Sequence, residues 1–235
     1  MSNTDAFFHE RQPAAVLKHG ILGRYLRPFA SKTGMMAPGK RVVYLDGYAG
    51  PGTYDDGTPG SPALAEQTAT KIAKSRNLEC IYVEKNPEMF EQLCEMLDSF
   101  DKWTAYNDSI ASCLPDVMKD VGLAPLFAFL DPFGLPMPFS DLVAHLLSRP
   151  SSTKTELLLN FSVPGLKRNA GQLTSKKMYP AKAGVISGVN ARLGGPWWHD
   201  VWRDADETHR VERVLEGYVQ RLAVLSMEVV DIGMS

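Results

Sequence analysis

Apolar residues along this 235-residue chain fall into two alternating rhythms. Short runs that are apolar on both faces read as buried strands: Arg41–Asp46, Cys80–Glu84, Pro125–Asp131 and Glu156–Phe161, with a lesser one at Trp103–Tyr106. Stretches of helical period lie between them. Residues 13–29 place Val16, Leu17, Ile21, Tyr25, Leu26 and Phe29 at helical spacing, with Pro28 near the end. Ser61-Pro62 reads as the N-cap and first position of a helix to about Ser75. Asn86-Pro87 opens the next, with Phe90, Leu93, Cys94 and Leu97 on its apolar face. Ser109 opens another, perturbed by Pro115, and Ser140 caps one through Leu147. Residues 163–205 are glycine-rich, basic and without a clear period. A helix over 207–224 carries Val211, Val214, Leu215, Tyr218 and Leu222 on one face, and a strand over 227–232 follows. Strands alternating with helices predict a single α/β domain, 1–235, with a mostly parallel sheet and helices on both faces. Residues 1–40 would form an N-terminal helical, basic extension, and 163–205 an irregular basic insertion.

Composition adds a charge asymmetry to this outline. The net charge is only −2, yet residues 11–41 carry seven Lys/Arg and no acid, and residues 157–199 carry six and again no acid. Lys18, Arg24, Lys167, Arg168, Lys176 and Lys177 in these segments are candidates for phosphate contacts, alongside the alternative of ordinary solvated faces. The three cysteines are widely spaced with no C-x-x-C, which fits reduced thiols and predicts no metal site. No run of about 18 apolar residues exists and the N-terminus lacks a signal-peptide core, so a soluble, cytoplasmic chain with no membrane partner is expected.

Candidate chemistry gathers where the strands end, which is where ligands bind in such sheets. The first strand runs into VVYLDGYAGPG, Val42–Gly52. Its glycines stand as G-x-x-G-x-G, which is neither the dinucleotide fingerprint nor a P-loop, since no lysine follows. An acidic strand end and bare backbone suit the cationic sulfonium and amino-acid tail of S-adenosylmethionine (SAM), and make Asp46, Gly47, Tyr48 and Gly50 candidate cofactor residues. A glycine-rich turn of another α/β protein is the alternative. Glu84 ends the second strand, where a carboxylate suits a ribose hydroxyl pair, though a solvated strand-end acid reads the same. Asp108 follows the third strand as an acceptor for an adenine amino group or as part of a helix-cap sequence.

LDPFG, Leu130–Gly134, follows the fourth strand. Amino-group methyltransferases place an Asp/Asn-Pro-Pro-aromatic turn there. The exocyclic amine of a purine is a poor nucleophile because its lone pair is delocalised. A carboxylate that accepts its N–H localises that pair, and an aromatic ring fixes the base plane. Asp131 has the type and place of the acceptor. Phe133 sits one position earlier than the aromatic of D-P-P-Y, and a plain turn remains an alternative. His19, taken alone, reads as structural, and Trp197, Trp198 and Trp202 read as core in preference to base-stacking residues.

At these motifs the chain resembles the three-Cys-motif partner (TcmP) family. The shared order is KHxIL on an N-terminal helix, YxDGxAGPGxYxDGxPGSP, VE at strand two and FLDPFG, here Lys18–Leu22, Tyr44–Pro62, Val83-Glu84 and Phe129–Gly134. The match runs from residue 7 to about 161. The resemblance implies a Rossmann-like class I methyltransferase fold and a three-Cys-motif partner protein. Such folds finish with two further strands, so with only 227–232 in view an incomplete C-terminal strand pair is expected. A weaker similarity is to ribosomal RNA adenine-N6 methyltransferases of the RlmJ type, which begin with a VLKH helix, here Val16–His19, before a YLDxxAGxGxY loop. It implies His19 and Tyr48 against the cofactor, Glu84 on its ribose, Asp108 near adenine and Asp131 as catalytic acceptor. That type has D-P-P-Y where this chain has DPFG, and histidine where it has Tyr48. The expected function is a SAM-dependent methyltransferase acting on an exocyclic amino group of a nucleic-acid base, adenine N6 favoured, with RNA and DNA undistinguished. The alternatives are a non-catalytic nucleic-acid-binding or partner-docking module, and a methyltransferase of a small molecule or of the partner protein.

Overall fold

A computed structural model describes residues 13–225. The expected strand over 227–232 lies outside these residues. In chain order the elements are α1 (Pro13–Thr33), β1 (Arg41–Asp46), α2 (Ser61–Ile72), β2 (Asn77–Val83), α3 (Pro87–Leu97), β3 (Trp103–Tyr106), α4 (Ile110–Val121) and β4 (Leu126–Leu130). Then come α5 (Phe139–Asp141), continued by π-helical turns over Leu142–Leu147, β5 (Thr155–Leu159), α6 (Val163–Ala170), α7 (Lys182–Leu193), α8 (Trp198–Asp204) and α9 (Arg210–Leu225). No helix among the described residues is long and apolar enough to cross a membrane.

The strands form one parallel sheet in the order β3-β2-β1-β4-β5. This is the doubly wound, Rossmann-like α/β arrangement that the alternation predicts. The order reverses between β1 and β4, which pair in the register Asp46↔Phe129, so a switch point opens between the ends of these two strands. β1 is buried from Val42 through Asp46 and β4 along its whole length. Both therefore read as unbroken apolar runs, because helices cover both faces of a parallel sheet.

Contacts divide the chain into two compact units. The first takes residues up to Asp131 together with Arg149–Leu159, and holds the entire sheet. Its core joins Leu22, Leu26 and Phe29 of α1 to Tyr44, Tyr82, Leu93, Leu97 and Phe127. Leu22 and Leu26 are fully buried one turn apart, and such a side chain contributes roughly 1.5–3 kcal/mol on leaving water. α1 continues past Pro28 to Thr33, four residues beyond the expected end.

The second unit takes Pro132–Ser148 and residues from Asn160 onward. Here the expectation of an irregular segment fails: 163–205 contains α6, α7 and α8. Trp198, fully buried, and Trp202, 5 % exposed, form its core with Leu166, Val189, Leu193, Val214 and Tyr218, so neither is available to stack on bases. Trp197 is pinned by its indole N–H, which donates to the Leu193 carbonyl (2.7 Å), and Arg221 lies over its ring at 3.8 Å.

Candidate functional site

The glycine loop leaves β1 at Gly47, and four consecutive amides in it are already satisfied by the protein. Gly47 N–H donates to the Phe129 carbonyl (3.0 Å), Tyr48 to Asp46 Oδ1 (3.2 Å), Ala49 to the Val83 carbonyl (3.0 Å) and Gly50 to Glu84 Oε2 (2.9 Å). These bonds tie the loop to the ends of β4, β1 and β2 at once. Two glycines answer to backbone conformation, Gly50 at φ 63° and Gly52 at φ 86°, both left-handed. Gly47 answers to space, since a Cβ there would lie 2.5 Å from Leu130 Cδ2. Among the described residues the carbonyls of Gly47, Ala49 and Gly50 accept no hydrogen bond from the protein. Over residues 47–50 the loop has spent its amide donors and kept these acceptors.

Asp46 shapes this loop from beneath. It is 0 % exposed and accepts from the Tyr48 amide, from the Tyr44 hydroxyl (3.1 Å) and from the Ser61 hydroxyl. Burial pushes its carboxyl up to about 7, with the three hydrogen bonds pulling the other way. Its carboxylate is thus engaged with the loop it holds. Ser61, read from the sequence as an N-cap, is instead the first residue of α2 behind Gly60, and its buried hydroxyl serves Asp46. Ser140, likewise read as a cap, lies within α5 behind Pro138.

Glu84, 9 % exposed, uses Oε2 for Gly50 and Oε1 for the Asn86 amide (2.6 Å), and so joins the glycine loop to the start of α3. Each carboxylate oxygen retains a lone pair for a further donor such as a ribose hydroxyl. Asp108 is exposed after β3 and accepts the Ser109 amide (2.6 Å), while Ser109 itself caps α4. Tyr48 is half-buried on the loop.

α1 closes the site from the other side through two neighbouring side chains. Lys18 Nζ donates to Asp131 Oδ1 at 2.7 Å, both side chains mostly buried. His19, 6 % exposed, packs its ring 5.9 Å from that of Tyr54, which stands in the loop extension closed by the Thr53–Pro59 bridge. Lys18, expected on a phosphate, is committed to the candidate catalytic carboxylate, because the helix that seats His19 on the loop carries the preceding ammonium to the end of β4. Arg24 remains an exposed position of α1.

The first unit therefore brings together Lys18, His19, Asp46, Gly47, Tyr48, Gly50, Glu84, Asp108 and Asp131 around one end of its sheet. Phe133, 52 % exposed, belongs to the second unit, as do Lys167, Arg168, Lys176 and Lys177, all exposed. The sequence reading missed Tyr44, Ser61 and Tyr54. Tyr44 carried a legible signal, since a residue two before Asp46 on a strand shares its face. Tyr54 carried none, because its ring partner is thirty-five positions away.

No protein-family model and no curated protein matches the chain. Solved structures show weak likeness. A Plasmodium falciparum protein described as a protein-L-isoaspartate O-methyltransferase, in complex with S-adenosyl-L-homocysteine, is 16 % identical at a TM-score of 0.39, over 61 % of this chain and 59 % of that one. A mutant of MtNAS is 15 % identical at 0.32, over 60 % and 48 %, so this chain spans about half its length. A possible exported protein from Bordetella parapertussis is 14 % identical at 0.35, over 93 % and 66 %. At scores this low the likenesses carry no weight for this chain, and its own residues must speak for its chemistry.

Proposed function

We propose that this chain is a SAM-dependent methyltransferase acting on an exocyclic amino group of a nucleic-acid base, with adenine N6 favoured. The cofactor half rests on one observation: the amides of residues 47–50 are consumed inside the protein while three neighbouring carbonyls are not. A phosphate needs N–H donors, as in a P-loop or a dinucleotide fold. A loop left with oxygen acceptors suits a cation, and SAM brings both a sulfonium and an ammonium. Glu84 would accept the ribose hydroxyls and Asp108 the adenine amino group.

Asp131 carries the substrate half. With Oδ1 held by Lys18, the carboxylate is fixed in direction and Oδ2 remains to accept an N–H of the target amine. The nitrogen lone pair attacks the methyl carbon, the carbon–sulfur bond breaks toward sulfur, and S-adenosylhomocysteine (SAH) leaves with its sulfur neutral. The methylated nitrogen then sheds one proton.

Titration calorimetry with SAM and SAH tests the first half, and folded protein that binds neither overturns it. For the second half, Asp131→Ala is expected to abolish methyl transfer to nucleic acid at unchanged SAM affinity. The Lys18–Asp131 ion pair also favours a second reading, a nucleic-acid-binding or partner-docking module without turnover, in which the pair merely fastens α1 to β4. Under it Asp131→Ala changes no product and loosens α1.

A further inference from the structure

The connection between α6 and α7 leaves a strongly basic, partly apolar tip in water. Met178 is 85 % exposed and Tyr179 37 % exposed, directly behind the exposed Lys176 and Lys177. Isolated exposed apolar residues need no explanation, but two adjacent ones within an acid-free basic segment do. From Leu157 to His199 the chain has no Asp or Glu and six Lys/Arg, two of them the exposed Lys167 and Arg168 of α6.

The tip is also held in shape. Lys182 Nζ donates to the Ser175 carbonyl (2.6 Å) and to that of Lys177 (3.4 Å), the Lys177 amide donates to Ser175 Oγ (3.2 Å), and the Lys182 amide to the Tyr179 carbonyl (3.1 Å). One lysine is spent on fixing the turn that presents the other two. A flexible solubilising loop has no use for such bracing, whereas a contact surface gains from it by losing less freedom on binding.

We infer that residues 176–179 are a base-stacking tip for unpaired nucleic acid. In this assignment Tyr179 lies against the face of a base, Met178 wedges beside it, and Lys176 and Lys177 hold the flanking phosphates. A pair of cations followed by a polarisable and a flat apolar group matches a single strand, which offers both phosphates and open π-faces. An anionic bilayer shares the charge but not the fit, since two side chains bury too little for it; even a whole myristoyl chain anchors only marginally. The inference deepens the nucleic-acid part of the proposed function and depends on that reading for its partner, not on turnover.

The test uses the full chain without SAM and a single-stranded oligonucleotide carrying 2-aminopurine, followed by fluorescence and anisotropy. The same strand in a duplex and vesicles of phosphatidylcholine and phosphatidylserine serve as rival ligands. Wild type is expected to prefer the single strand and to change the 2-aminopurine signal. Met178→Ala with Tyr179→Ala should lower single-strand affinity about tenfold or more, at an unchanged salt slope. Lys176→Ala with Lys177→Ala should reduce that slope by about 1.4. All four side chains are exposed, so the variants should keep the wild-type melting temperature. Wild-type affinity in the Met178/Tyr179 variant overturns the tip, as does a wild type that binds only duplex or only vesicles. SAM binding and methyl transfer measured in parallel keep the two proposals apart: wild-type single-strand affinity in the tip variants, with SAM binding and transfer intact, sinks the tip alone, while a chain that stacks on single strands but binds no SAM sinks the methyltransferase alone.

Discussion

Three carboxylates at successive strand ends differ in their relation to water, two buried and one exposed, and their substitution should show it. Asp46 is wholly enclosed and titrates near 7 when folded, against 3.8 when free. The folded state thus holds its proton more tightly than the unfolded chain does. This contribution to stability is complete below about 4 and is lost as pH rises toward 7. At about 1.4 kcal/mol per unit the loss is of order 4 kcal/mol, an upper figure for one group. Asp46→Asn should flatten the stability profile between pH 4 and 7, read from urea unfolding at four pH values; an unchanged slope would show that the proton sits elsewhere. Glu84 faces two amides, so Glu84→Gln sets an NH2 against an N–H and is expected to cost about 1–3 kcal/mol in the same assay. Asp108→Asn, at an exposed position, should stay within about 0.5 kcal/mol.

At the level of elements, close approach decides more than propensity does. Gly47→Ala would drive a methyl into Leu130, itself 0 % exposed, and press the loop away from β4. A loss of about 1–3 kcal/mol is expected, with part of it recovered when Leu130→Ala is added; strict additivity in that double-mutant cycle would contradict the packing. What was legible in the chain follows the same division. β1 falls at its expected bounds because a buried parallel strand writes itself as an uninterrupted apolar run; β3, a sheet edge with no fully buried residue, also falls at its expected bounds. β2 begins at Asn77, three residues early, since Leu78 alternates with half-buried Asn77 and Glu79 and so hides the start of the strand. α6, α7 and α8 escaped notice because six glycines and three prolines over 163–205 dilute their period, while the burial that sustains them, at Leu166, Leu193 and Trp198, depends on contacts far apart in sequence. The four strand-end acids were legible as a set. That two of them serve the glycine loop's own amides was not, because a bond such as that between Gly50 and Glu84 spans 34 positions.

Over the whole molecule, a nearly neutral sum conceals two cationic stretches and an acidic remainder, so ionic strength should act on nucleic-acid binding and leave cofactor binding almost untouched. SAH at a hundredfold excess over its dissociation constant should stabilise the fold by about 2.7 kcal/mol, a melting shift of roughly 5–10 °C by scanning calorimetry. The shift should be nearly the same at low and moderate salt, and its absence would leave the site without a cofactor. The glycine loop's internal bonding bears on the time course of that event. A segment whose amides at 47–50 are all bonded before any ligand arrives has nothing left to freeze, so its deuterium uptake should be slow in the free protein and hardly slower with SAH present. Cofactor would then enter and leave a finished socket, at rates set by access and not by the folding of a lid.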